Sequence, residues 1–276
     1  MSRQGPGATL VVGTPTMNER SLKTALSDLP LGELRYLDSV GSTNDEALAW
    51  ATDGAPDLSL VVTNEQTAGR GRLGRRWFTP PGTALAFSLI LRPAPEHRPF
   101  VQRTVGLAAL AIAEALAARS VAARIKWPND VLILGRKVAG ILVESVWTGE
   151  DLDCQVVGVG INVRSASLPH DAHLQFPATS LEHALGAPPD RDSVLRETLE
   201  KLLALRPSLH TDEFLRKWEH SLAYLGERVI VSGTPGQPHI QGDLIGLDSD
   251  GSLRLRDEHG EPLKVQFGDV SLRPAA

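Results

Sequence analysis

Two apolar runs, residues 58–62 and 83–91, enclose the loop EQTAGRGRLGRRW at residues 65–77. Apolar, β-branched-rich runs of that length read as strands, so the loop is held between two core strands. It carries four arginines (Arg70, Arg72, Arg75 and Arg76) and three glycines (Gly69, Gly71 and Gly74) in a chain of net charge -5. Guanidinium forks match carboxylates and phosphates, and glycines let backbone approach a ligand closely. A local cationic loop in an acidic chain points to a pocket for a small anion more than to a surface that coats nucleic acid. A solvated basic loop, or an RG segment that binds RNA, is the alternative this stretch leaves open by itself.

The rest of the composition narrows the class. At 276 residues and 42% hydrophobic, the chain can bury one large core and a small second domain. The single cysteine, Cys154, excludes an intramolecular disulfide framework and fits a reducing compartment. Arg103 and Glu114 interrupt the longest apolar stretch, which argues against a membrane span. With no basic-then-apolar leader at the N-terminus, a cytoplasmic location is expected.

Residues 1–30 are expected to be a disordered N-terminal segment, because the first twenty are rich in Gly, Pro, Thr and Ser without periodicity. A short strand at residues 34–37 precedes a helix through Ala51. Ser42 or Thr43 caps that helix, with Asp45 and Glu46 placed for a capping box and Gly54 as its stop. Residues 100–119 form an Ala/Leu-rich helix, residues 124–163 a strand meander, and residues 192–205 and 211–222 two amphipathic helices. After Gly226 short alternating strands with Asp-Gly and His-Gly turns indicate a small β-barrel. A catalytic domain over residues 31–224 and a barrel over 225–276 follow.

Three further clusters carry chemistry. In Lys126-Trp127-Pro128-Asn129-Asp130 the proline ends a strand, placing an ammonium, an amide and a carboxylate at one sheet edge. Asp130 could ligate Mg²⁺ and Lys126 pair with a phosphate, or the segment is a structural Asn-Asp turn. Lys137 precedes the small residues Ala139 and Gly140, which leave room on a sheet for a flat ligand; a solvated hairpin lysine is the alternative. Gly158 and Gly160 share one face of a strand with Asn162, marking a close approach or a bulge.

Together these segments resemble the biotin protein ligases. The family pattern GRGRxGRxW stands at residues 69–77, KWPND at 126–130, KxAGILVE at 137–144, GxGINV at 158–163 and STN at 42–44. GDVSLR at residues 268–273 closes the match. The resemblance implies an α+β fold: a central mixed or antiparallel sheet with flanking helices, of the class II synthetase-like biotin/lipoate ligase type, plus a C-terminal SH3-like β-barrel. About forty residues precede the STN motif, too few for the winged helix-turn-helix of bifunctional members, so no DNA binding is expected.

The resemblance further implies substrates biotin and ATP, with Mg²⁺. The product is biotinyl-5'-AMP, passed to one lysine of a biotin carboxyl carrier domain of a carboxylase. Lys137, Arg72 and Asp130 would be catalytic, with Asp130 holding the metal. Ser42, Thr43, Asn44, Gln66, Gly69, Arg70, Gly71, Arg72, Lys137 and Gly140 would bind biotin. Arg72, Arg75, Trp77, Lys126, Asn129 and Asn162 would bind ATP, Trp77 by stacking on adenine. The arginine loop would lack partners until an anion arrives and then close. The barrel holds none of the five ligase motifs, so removing residues 227–276 would spare biotin binding more than carrier modification. The sheet edge offers a route to a homodimer, and a lipoate or octanoate ligase is the alternative within the fold.

Overall fold

The computed structural model describes residues 17–169, 176–233, 239–266 and 271–275. The strands β1 (Leu34–Leu37), β2 (Leu60–Thr63), β3 (Ala84–Leu91), β4 (Ala123–Lys126), β5 (Asp130–Ile133), β6 (Arg136–Thr148) and β7 (Asp151–Asn162) form one seven-stranded sheet. Its order is β1-β2-β3-β7-β6-β5-β4; β1 and β2 run parallel and the remaining neighbours antiparallel. The expected mixed sheet is therefore present.

Alternation along β7 assigns the two faces. Val157, Val159 and Ile161 point into the main core, and the intervening Gly158 and Gly160 face the opposite side. Helices α1 (Glu19–Ala25) and α3 (Thr104–Ala118) cover the core face together with α5 (Arg191–Leu205). Helix α2 (Thr43–Thr52) covers the other face, where Ala47, Trp50 and Ala51 pack on Val61, Ile90, Cys154 and Val156. The short α4 (Leu181–Leu185) and α6 (Asp212–His220) complete the helical set in the described residues.

Several expectations need correction. Residues 17–30 are ordered: Asn18 caps α1 through a capping box with Ser21, and Met17 and Leu22 are buried. Tyr36 Oη donates to the Met17 carbonyl, and Arg196 pairs with Asp28. The buried Met17, Leu22 and Leu26, on and beside this short helix, hold the segment, and turn-rich composition upstream concealed them. Residues 1–16 lie outside the described residues. Ser42 is the N-cap of α2 but makes no side-chain cap bond, and Glu46 reaches Arg35 instead of closing a capping box. The helix expected over 100–119 starts at Thr104, after a 3₁₀ stretch, Pro95–Arg103, that contains Pro99. By length and composition Pro95–Ala118 could cross a bilayer, despite Arg103 and Glu114, but most of it is buried inside the fold.

The C-terminal strands β8 (Arg228–Ser232), β9 (Ile240–Leu247), β10 (Leu253–Arg256), β11 (Pro262–Val265) and β12 (Ser271–Pro274) form an antiparallel sheet in the order β11-β10-β9-β8-β12. Gly268, at the start of the GDVSLR match, lies outside the described residues. Val229, Val231, Leu244, Leu253, Leu255 and Leu272 belong to the same continuous core as Leu107, Trp127 and Trp218. The barrel is thus packed into the main body, against the expectation that it is separable. At the other sheet edge, Ile125 of β4 donates to the Ser221 carbonyl and accepts from Ala223 N. That edge is paired within the chain at Ile125.

Candidate active site

Fifteen of the sixteen predicted site residues come together in one cleft of about 350 Å³, a volume suited to a small ligand. Its floor is the open face of β6 and β7, at Gly140, Gly158 and Gly160. A Cβ added at Gly160 would collide with the Trp77 indole, and one at Gly158 with the Asn44 amide. The glycines therefore exist for close approach, as their spacing indicated, and the approaching groups are side chains of the cleft itself. Gly69 is the exception: it does not line the cleft but packs beneath the loop, where Trp77 O and the Gln66 amide leave no room for a side chain.

One end of the cleft is cationic. Lys137 Nζ lies 2.6 Å from Asp130 Oδ1, and Lys126 Nζ lies 3.2 Å from Asp130 Oδ2. The β4–β5 turn places Lys126 and Asp130, and β6 pairs Gly140 with Asp130, which brings Lys137 alongside. Lys126 and Asp130 are each 6% exposed. Burial alone would push the Asp130 carboxyl up, but the Lys137 and Lys126 ammonium groups outweigh it and hold it below the usual carboxylate range. Burial lowers the Lys126 pKa, with Asp130 opposing. Phe176, from the segment before α4, sits 4.7 Å from the Lys126 ammonium. Asn129 accepts from Arg72 Nη1 at 3.2 Å and donates to the Ile141 carbonyl.

The arginine loop folds back over this floor. Gly71 N donates to Arg75 O and Trp77 N to Gly69 O, with a 3₁₀ turn at Arg72–Gly74 forming the tip. Arg70 is gripped rather than free: it binds both Glu144 oxygens, at 2.9 and 2.7 Å, and Asp45 at 2.6 Å. Glu144 above all raises the Arg70 pKa. Trp77 lies over the two-strand floor with its ring centroid 5.4 Å from Lys137 Nζ. Its indole N–H is buried and has no hydrogen-bond partner among the described residues. At the opposite end, Gln66 Oε1 accepts from Thr43 N at 2.9 Å, and Ser42, Thr43 and Asn44 sit at the start of α2. Asn162 donates to the Thr179 carbonyl on the rim.

Among the lining residues Arg70, Arg72, Arg75, Arg76, Lys126, Lys137 and Arg273 are cationic, and Asp130 alone is acidic. Against a chain charge of -5, this is a built anion site. It does not fit a magnesium ion held by the protein. Both Asp130 oxygens already face ammonium groups, and no cluster of three His, Cys, Asp or Glu residues exists among the described residues. The expected role of Asp130 as a metal ligand is therefore not supported by its surroundings. Sequence reasoning also passed over Arg273, Phe176 and Glu144. Arg273 and Glu144 end recognised motifs, whereas Phe176 carries no pattern.

A mixed sheet with a glycine floor, a cationic end and an arginine loop above defines a protein that binds a carboxylate beside a phosphate-bearing ligand. The Biotin/lipoate A/B protein ligase family matches residues 36–162, and the Biotin protein ligase C terminal domain matches residues 224–273. The biotin–[acetyl-CoA-carboxylase] ligase of Paracoccus denitrificans is 37% identical over 82% of this chain and 97% of its own length. That of Mycobacterium tuberculosis is 34% identical over 93% and 96%. The Aquifex aeolicus biotin protein ligase solved in complex with biotin and ATP superposes with a TM-score of 0.74 at 31% identity, covering 88% of this chain and 99% of that one. This chain belongs to the biotin protein ligase family.

Proposed function

We propose that this protein activates biotin with ATP as biotinyl-5'-AMP and transfers the biotinyl group to a lysine of a carboxylase carrier domain. The observation that carries the reading is the Lys126–Asp130–Lys137 group beside a glycine floor under an arginine loop. A biotin carboxylate oxygen attacks the α-phosphorus of ATP, a P–O bond forms, and pyrophosphate leaves. Two anions must meet, so cations already held at the site lower the barrier. In the ligand-free protein Asp130 holds both ammonium groups in place. An arriving carboxylate or phosphate competes for them, and Lys137, the more exposed, is the one to turn toward the ligand.

Thr43, Asn44 and Gln66 suit the polar ring end of biotin, and Trp77 with Asn162 the nucleobase. Arg70, Arg72 and Arg75 lie over the phosphate path. The loop then keeps water from the mixed anhydride until the carrier amine attacks its carbonyl carbon and AMP departs. We assign the protein no magnesium-holding residue; the ion that accompanies ATP belongs to the substrate. An RNA-coating role fits less well, because Arg70 turns inward to Glu144 and Asp45. The test is biotin-dependent pyrophosphate release, followed by mass spectrometry of a carrier domain incubated with protein, biotin and ATP. Release with octanoate or lipoate but not biotin would overturn the substrate assignment.

A further inference from the structure

Glu144, on β6, does not itself line the cleft, yet it gathers three contacts from residues that do. Its oxygens accept Arg70 Nη1 at 2.9 Å and Nη2 at 2.7 Å from the loop, and Oε2 accepts Asn44 Nδ2 at 2.7 Å from α2. Asn44 Oδ1 accepts Ser88 Oγ at 2.6 Å, and Ser88 Oγ stands 2.8 Å from Thr43 Oγ1. Thr43 in turn donates to Gln66. A continuous polar chain therefore runs from the loop to the ring end of the cleft.

We propose that Glu144 is a positioning residue: it latches the arginine loop over the bound intermediate and ties that closure to the ring-binding residues. The inference rests on the adenylate reading above. Bidentate carboxylate–guanidinium pairs fix orientation as well as distance. The Arg70–Glu144 pair is partly exposed, so its value lies in geometry more than in stability. Both neighbours of Glu144 donate, so an amide nitrogen placed there would face donors. Glu144→Gln keeps the size of the side chain and breaks the latch.

The experiment forms labelled biotinyl-adenylate on the full-length protein, then measures its release in a chase, beside the rate of pyrophosphate release and the thermal transition. Glu144→Gln should speed adenylate release about threefold to tenfold relative to its formation. A merely structural role would instead lower the thermal transition and adenylate formation without changing release from the folded fraction, and that outcome overturns the proposal. Asp45→Asn, which removes the second carboxylate from the same guanidinium, should give a smaller increase and serves if Glu144→Gln does not fold; unchanged release there overturns the proposal too. Absence of biotin-dependent pyrophosphate release in the unsubstituted protein would instead remove the adenylate reading.

Discussion

Trp127 donates its indole N–H to the carbonyl of Gly251 at 3.1 Å, joining the turn before Asp130 to the turn between β9 and β10. Trp127 is 1% exposed. Arg103, equally buried, donates to the Ser249 carbonyl in the same barrel turn and to the carbonyls of Leu209 and Thr211. The barrel thus holds the segment that carries Lys126 and Asp130.

Removing residues 227–276 should accordingly abolish the cooperative thermal transition along with biotin binding, because it strips apolar partners from the shared core and takes the Ser249 carbonyl from Arg103. The conservative Trp127→Phe leaves the Gly251 carbonyl unmet and should cost about 1–3 kcal/mol. Urea unfolding of both variants checks this; a truncated protein that unfolds cooperatively and still binds biotin would restore the barrel as a separable unit.

Lys137→Ala should lower biotin-dependent pyrophosphate release by on the order of a hundredfold or more, since a cation at the reacting centre is lost. Asp130 would keep Lys126 as its counter-ion, so the fold should survive. Near-normal turnover in a folded variant would show that Lys137 does not serve the chemistry.

The Asp130 carboxyl titrates below its unfolded value, so its contribution is complete above the ordinary carboxylate range and is lost as pH falls through the lower folded value. The stability difference between the unsubstituted protein and Asp130→Asn should be largest near neutral pH and shrink in acid. Denaturant unfolding across pH measures it, and a difference that grows in acid would contradict the assigned direction.

Arg72→Gly should leak its intermediate rather than lose activity. Lys126 and Lys137 remain, but the loop tip loses its bond to Asn129 and gains backbone freedom. Retention should fall about tenfold to a hundredfold, the worth of one charge-assisted hydrogen bond. A streptavidin blot of albumin mixed with each enzyme, at matched pyrophosphate release, reads the escape. Equal labelling by both would show that Arg72 does not retain the adenylate.

Much of the site was legible in the chain because its groups act locally. Glycines at Gly158 and Gly160 announce a surface without side chains wherever the strand lies, and a strand alternating Val with Gly declares which face is core. The clustering of Arg70, Arg72 and Arg75 declares an anion in the same way, since charge and composition survive without coordinates. Strand positions in residues 124–163 followed from the same period of two.

Other features depend on residues far apart in the chain meeting in space. Whether Arg70 awaits a ligand or grips Glu144 is decided by a contact across 74 positions, and no local pattern encodes it. Asp130 read alone could be a metal ligand or part of an Asn-Asp turn; in the fold it is the counter-ion of Lys126 and Lys137, because β5 and β6 pair in the register that sets Gly140 opposite Asp130. The barrel looks separable by motif and composition, yet the Trp127–Gly251 bond and the common core bind it to the catalytic turn. Local periodicity and residue chemistry determined the elements and the kind of ligand, while strand register and long-range packing decided which charges pair.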